Sequence, residues 1–363
     1  MTILASILTA VSTLSPQHAR TRFTSLHVTR APRPTCSEYQ NVLILDHLNI
    51  NHEKGRHDWL CAFYVDILGC TLDPRKLENL DAGKGTLWAN AGIHQFHLPE
   101  GKPSPQVFDG VITMAYGSLA ALRKRLKDPP AVLAHSKFDV LDSVVSGASD
   151  TISMVDPWGT RFDAVQLEEP SDPRGSQPGA ERSEARAIVD LTVHVRHDAA
   201  LHGIARFYEH VLGMPALSCD EGRRLVLGAG GKRTNGSPRQ TLTFLCTDRN
   251  DVSHDEVTAD ADGMPINNGA HISLYLHDLA GAYRRANALG LCYVNHRFKR
   301  RAFNEEEALD QCMFRVLDVV DPRDPAAGPI LRLEHEVRSA TKADGSKYKS
   351  CPLDGVDVSS ATA

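Results

Sequence analysis

The feature that most constrains this chain is a segment written twice. FYVDILGC at 63–70 returns as FYEHVLGM at 207–214, and each follows a short apolar run, LDHLNI at 45–50 and VDLTVH at 189–194. Asp46 and Asp190, Phe63 and Phe207, Tyr64 and Tyr208, and Gly69 and Gly213 all stand at one constant spacing. A repeat this long marks a duplicated domain rather than a solenoid unit, and 363 residues hold two domains of ordinary size. The copies differ where chemistry is concerned, because His47 of the first is Leu191 in the second.

Periodicity gives the unit. Val42–Ile50 reads as a strand. After the polar loop NHEKGRHD, Leu60, Phe63, Tyr64, Ile67 and Leu68 recur on one helical face, and Gly69 closes the helix. Short strands follow near Thr71–Leu72, Thr86–Asn90 and Ile93–Leu98, so the unit is β-α-β-β-β. It restarts at Val111–Tyr116, with a helix over Ser118–Leu126 and three more strands, the last two joined by the turn Asp156-Pro157-Trp158-Gly159. The stretch EPSDPRGSQPGAERSEAR, rich in Pro, Gly and charge, reads as a linker over 169–187. Beyond it the scheme repeats: Ile204, Phe207, Tyr208, Val211 and Leu212 form the helix face, and HISLYLHDL at 271–279 aligns with VITMAYGSL at 111–119. The last strand is expected over Ile330–Glu334, and Lys299–Asp310 reads as an inserted lid or surface loop.

Composition narrows the function. With 42% hydrophobic residues two cores can form, and a net charge of −5 argues against a nucleic-acid partner. No apolar run approaches the ~20 residues of a membrane span. Eight scattered cysteines without a CxxC pair read as reduced packing residues. Residues 1–37 contain no Asp, Glu or Lys but carry Arg20, Arg22, Arg30 and Arg33 among many Ser and Thr. That composition resembles a transit segment for a plastid or mitochondrion, the alternative being an unstructured arm on a cytoplasmic protein. The polar tail over 338–363 is expected to be disordered.

The paired units, the helices ending FYxxxLG, the strand opening DHL and the hairpin carrying DPxG resemble the vicinal oxygen chelate superfamily. That superfamily includes glyoxalase I, extradiol dioxygenases, methylmalonyl-CoA epimerase and bleomycin-resistance proteins. The resemblance implies an α+β fold of two tandem domains, 42–168 and 188–337. Each would be a pair of βαβββ units curled into a half-open mixed-sheet barrel around a divalent metal, with ligands on the first and fourth strand of each unit. Alternation puts Leu48 and Ile50 against the helices and His47 and Asn49 inward; likewise Gln95 and His97, and Arg161 and Asp163, face inward.

The resemblance therefore implies His47, His97 and Asp163 as metal ligands, with Val111 at the fourth position. Two imidazoles and a carboxylate suit Fe2+ or Mn2+, with Zn2+ and Ni2+ as alternatives, and leave positions for a substrate with adjacent oxygens. Gln95 is then a supporting donor or a substrate contact, while Arg161 and Asn49 would hold the substrate. In the second domain Leu191 and Arg332 occupy ligand positions, leaving His271 and Glu334. This copy is expected to be a supporting one, or a metal-free pocket in which His271 is a general acid–base. His52, His57, His94 and His135 are read as surface or loop residues. The chain is thus expected to be a metal-dependent enzyme on a small oxygen-rich substrate, dioxygenase-like or glyoxalase/isomerase-like. The alternative is a binding protein of the bleomycin-resistance kind, and a homodimer is allowed.

Overall fold

Each FYxxxLG segment folds as a helix that ends on a left-handed glycine. In the first unit the helix starts at His57–Leu60 and widens into a π-helical stretch, Cys61–Ile67; in the third, Leu201–Phe207 widens into Tyr208–Leu212. Gly69 and Gly213 both have φ of +69°, a conformation that side chains bearing Cβ rarely adopt. A Cβ on Gly213 would also meet Asn41 Cβ at 2.7 Å.

The computed structural model describes residues 41–101, 105–141, 150–168, 172–220, 222–233, 235–249, 252 and 270–342. The expected transit segment over 1–37 and most of the expected tail lie outside them. All described residues fall in one compact unit, Glu38–Ala363, and among them no helix is long and apolar enough to cross a membrane.

The first unit contributes strands β1 (Val42–Asn49), β2 (Thr71–Leu72), β3 (Thr86–Ala91) and β4 (His94–Pro99). The second contributes β5 (Gly110–Tyr116), β6 (Asp139–Val140), β7 (Thr151–Val155) and β8 (Arg161–Gln166). The third contributes β9 (Ala185–Arg196), β10 (Ala216–Asp220), β11 (Arg224–Lys232) and β12 (Pro238–Thr247). The fourth contributes β13 (His271–Leu276), β14 (Cys292–Tyr293), β15 (Met313–Val320) and β16 (Pro329–Ser339).

These strands form two open, mixed, 8-stranded sheets. Their composition corrects the expected partnership of sequence neighbours. One sheet runs β14-β15-β16-β13-β1-β4-β3-β2, joining the fourth unit to the first; the other runs β10-β11-β12-β9-β5-β8-β7-β6, joining the third to the second. The outer units pair and the inner units pair. Neither sheet closes into a barrel. In each, the central seam is an antiparallel pair of first strands, β1 with β13 and β5 with β9.

Helices hold the two sheets together. Phe63 and Tyr64 of the first helix contact Phe162 of the second sheet, with ring centroids 5.2 and 6.0 Å apart, while Tyr64 also meets Phe96 of the first at 5.1 Å. The third unit mirrors this: Tyr208 packs on Phe244 of the second sheet, and its hydroxyl shares a hydrogen bond with His335 Nε2 of the first at 2.6 Å. Fully buried aromatics dominate this layer, so hydrophobic burial supplies its cohesion.

Polar contacts fix the register between the sheets. Gln240 of β12 donates to the carbonyls of Leu45 and Ile188 and accepts from Leu45 N–H. His94, expected at the surface, is buried, and its Nδ1 accepts the Ile188 N–H at 2.9 Å. The expected linker is tied down as well. β9 begins inside it at Ala185, and Arg174 and Ser183 are buried. At the other end β16 continues through Arg338 and Ser339, residues assigned by the sequence reading to the tail.

Burial, reinforced by the charge of Arg174, pushes the His94 pKa down from 6.5 to about 3. Between those values the unfolded chain binds the proton and the folded one does not, so this histidine's contribution is complete above pH 6.5 and is lost as the pH falls. Its share of the slope is at most about 1.4 kcal/mol per pH unit, added to that of buried His52 and His335, whose pKa values fall to about 4. Urea titrations from pH 7 to 4 should show a shallower pH dependence for His94→Gln than for wild type. An unchanged slope would remove His94 from this account.

Candidate metal centre

The β1–β13 seam builds the site. Antiparallel pairing sets His47 opposite Ser273 and Asn49 opposite His271, while parallel pairing with β4 sets His47 beside Gln95 and Asn49 beside His97. On β16, Glu336 lies beside Ser273. Residues of the first and fourth units thus line one pocket of about 820 Å³, among them His47, Asn49, Gln95, His97, His271 and Glu336. His47, His271 and Glu336 each offer one ligand atom, and the three atoms lie within 4.8 Å of one another, a group that could hold a metal ion.

The orientation of His47 is fixed from behind. A register shift between Leu45 and His47 interrupts the β1 ladder; such a bulge re-aims a side chain, and here Asp46 reaches the ring of its own neighbour. Asp46 Oδ2 accepts from His47 Nδ1 at 2.8 Å, and its Oδ1 accepts from Arg174 at 2.6 Å. Arg174 is anchored in turn by donating to the Ile93 carbonyl at 2.7 Å. Burial opposes the Asp46 charge, but Arg174 and the His47 N–H outweigh it and hold the pKa at about 2. An ionised Asp46 requires a proton on Nδ1. In the neutral ring the lone pair of His47 then sits on Nε2, which is buried and has no hydrogen-bond partner among the described residues. Carboxylate–imidazole pairs of this kind orient metal-binding histidines.

His97 stacks on His47, ring centroids 3.8 Å apart, and Trp88 stacks on its other face at 4.3 Å. Lys76 and Arg75 cap that column over the Trp88 ring, at 4.5 and 4.9 Å. Gln95 donates through Nε2 to Asp73 and Asn90, so its Oε1 faces His97 Nε2 at 2.8 Å as an acceptor. His97 thus carries its proton on Nε2 and its lone pair on Nδ1. Burial, then the neighbouring histidines and arginines, hold its pKa well below 6.5, so the ring is neutral at pH 7. The fourth unit closes the other side. Glu336 pairs with Arg315 and Arg338 and lies 3.7 Å from His271. Burial works against its charge, yet these arginines keep its carboxyl below the usual range. Phe298 packs edge-on to His271 at 5.2 Å, under the Arg315 guanidinium.

The expected ligand trio is not brought together, because Asp163 belongs to the other sheet. There it accepts from Ser153 at 2.7 Å and pairs with Arg161 at 3.3 Å. Arg161 is largely exposed in the same sheet and lines no part of the pocket. Val111 is likewise not the missing corner; it faces Thr192 and Arg161, while His271 stands at the seam. Glu334 turns to Asn295 and Arg315 instead, and Glu336, two residues on, is the carboxylate at the site. Asp46 was visible in the DHL run as the neighbour of His47, but Arg174 lay in an apparent linker and Glu336 beyond the expected strand end.

No family model matches the chain, and no curated protein matches it. Solved structures similar to it include a putative dioxygenase from Bacillus subtilis, with 12% identity and a TM-score of 0.46 over 83% of this chain and 86% of that one. They also include glyoxalase I from Zea mays, with 12% identity and a TM-score of 0.45 over 82% of this chain and 92% of that one. A third is the 2,3-dioxygenase LapB from Pseudomonas, with 12% identity and a TM-score of 0.29 over 83% and 93%. The four βαβββ units are those that the vicinal oxygen chelate resemblance implied, joined outer to outer and inner to inner rather than as sequence neighbours.

Arg174→Met would strand the Asp46 carboxylate in the interior. Removing one partner of a buried ion pair costs on the order of 3–5 kcal/mol, and the double variant Arg174→Met/Asp46→Leu should recover much of that loss in chemical denaturation. Equal instability of the single and double variants would refute this pairing.

Proposed function

We propose that this chain is a metal-dependent enzyme acting on a small, anionic, oxygen-rich molecule. The observation that carries the reading is His47 Nε2, a buried lone pair held in place by Asp46 and Arg174 and left without a hydrogen-bond partner among the described residues. A buried acceptor in that state is costly, and a cation shared with His271 and Glu336 satisfies it. Two imidazoles and one carboxylate suit Fe2+ or Mn2+, with Zn2+ and Ni2+ as alternatives. When bound, the ion supplies a Lewis acid with open positions for two adjacent substrate oxygens.

The remaining roles belong to the chain itself. Lys76, Lys299 and Arg300 line the pocket and attract an anionic substrate. Asn49 lines it too and offers an amide to the substrate. His97 is neutral, with its lone pair on Nδ1, and accepts a proton from substrate, while Gln95 holds its Nε2–H. A neutral base beside the ligands favours glyoxalase- or isomerase-type proton transfer over ring cleavage.

One observation favours the second reading, a metal-free binding protein: Arg315 and Arg338 already neutralise Glu336. Elemental analysis after anaerobic loading with Fe2+ or Mn2+ separates the two. About one equivalent that is lost in His47→Ala and Glu336→Gln supports the enzyme. An anionic ligand that binds equally well to metal-free wild type and His47→Ala supports the binder. With a turned-over substrate, His97→Gln should retain the ion and lose roughly 100-fold or more in kcat; retained turnover would exclude His97 as the base.

A further inference from the structure

A second group of metal-ligating side chains lies on the other face of β1. His47 and Asn49 line the pocket, whereas Leu48, Ile50 and His52 follow the opposite alternation toward the helix layer. His52 continues the strand line in a bridge to Glu100, its N–H donating to the Pro99 carbonyl at 2.9 Å. The chain then turns through Gly55, at φ of +75°, and begins the first helix at His57. His52, His57 and Glu100 each point one ligand atom into the same space, and those atoms lie within 4.8 Å of one another.

The second observation is the state of His52. It is 1% exposed, and neither ring nitrogen has a hydrogen-bond partner among the described residues. His57 Nε2 is in the same condition, with its ring centroid 5.5 Å from that of His52. An imidazole always has a proton to donate and, when neutral, a lone pair as well. A ring buried with neither satisfied is out of keeping with how interiors are built. Glu100 accepts from Gly55 N–H through Oε1 at 3.1 Å, and a carboxylate keeps further acceptor positions for a cation.

We propose that His52, His57 and Glu100 bind a second divalent transition-metal ion, Zn2+ by preference. Two imidazole nitrogens and a carboxylate oxygen form a set that Zn2+ accepts, with a fourth position left to water. Bonds of about 2.0–2.1 Å bring tetrahedral donors roughly 3.3 Å apart, so the three side chains close on the ion by small rotations. His57 and Glu100 are half-buried, which gives the ion a path in. The ion ties the β1–helix turn to the end of β4. That end is also the rim of the pocket, where the Glu100 carbonyl accepts from Arg297.

The test uses the full chain carrying His47→Ala, which removes the first centre. After metal is stripped, Zn2+ is titrated calorimetrically, and Co2+ is titrated for its visible absorption. One tight equivalent should remain in His47→Ala, and adding His57→Gln or Glu100→Gln should weaken it at least tenfold while leaving the circular dichroism unchanged. The added substitutions fall on half-buried residues, whereas His47 is buried; the circular dichroism of His47→Ala is therefore matched to wild type first, and Glu336→Gln, on a half-buried residue, is the background if His47→Ala does not fold. His47→Ala that binds no Zn2+ overturns the proposal, as does an equivalent indifferent to both added substitutions. The wild-type Fe2+ or Mn2+ content that depends on His47 is read separately, so failure here leaves the first centre standing.

Discussion

The pairing of β1 with β13 is the constraint on which the site depends. It joins the first and fourth units along one antiparallel seam and places His271 opposite Asn49, with Glu336 two strands from β1. Had β1 paired with β5, His47 would have faced the segment opened by Val111, and the carboxylate would have been Asp163. The other seam, β5 with β9, shows what that sheet offers instead: Asp190 is satisfied by the hydroxyls of Thr192, Thr241 and Thr243, and Asp163 by Ser153 and Arg161. One duplicated scaffold thus carries two unlike sheets, one rich in imidazole at its seam and the other with Asp190 and Asp163 already hydrogen-bonded locally.

The helices bridge the two sheets that this choice of seam creates. A first strand presents a row of backbone N–H and C=O groups, and those groups are alike in all four units. The helices are what differ. The first bridges Phe96 and Phe162, and the third bridges Phe244 and His335, so each touches both sheets. Gln240 and His94 then lock the sheets in one register. The buried chain Arg174–Asp46–His47 crosses from a segment between units into the centre. Such a triad costs desolvation and adds little net stability; its effect here is to fix the tautomer of one ring.

Much of the fold was legible. The 3.6-residue period of the FYxxxLG segments, their glycine stops and the short strands between them specify βαβββ units. The period of two in β1 and β4 put His47, Asn49, Gln95 and His97 on the face that lines the pocket. Other residues were hidden for stated reasons. Arg174 sits among Pro, Gly and charged residues that resemble a solvated linker, yet its guanidinium is buried against Asp46. Glu336 and Arg338 continue a strand whose sequence, LEHEVRS, is charged enough to look like a tail; they are tolerated because Arg315, Glu336 and Arg338 neutralise one another. His52 looked like a loop residue because it follows Asn51 and precedes a polar run, but the bridge to Glu100 draws it inside.

The sequence by itself determined the local rules: which segments coil, which extend, where glycine must stop a helix, and which side chains of a strand share a face. Those follow from periodicity and backbone sterics, which act over a few residues. Only the tertiary structure decided which units share a sheet, because backbone edges are interchangeable and the packing that accompanies the choice joins residues distant in sequence, as Phe63 with Phe162 and Tyr208 with His335. That choice put Glu336 rather than Asp163 in the pocket and brought His271 beside His47, so the composition of the candidate site is a property of the fold rather than of any one segment.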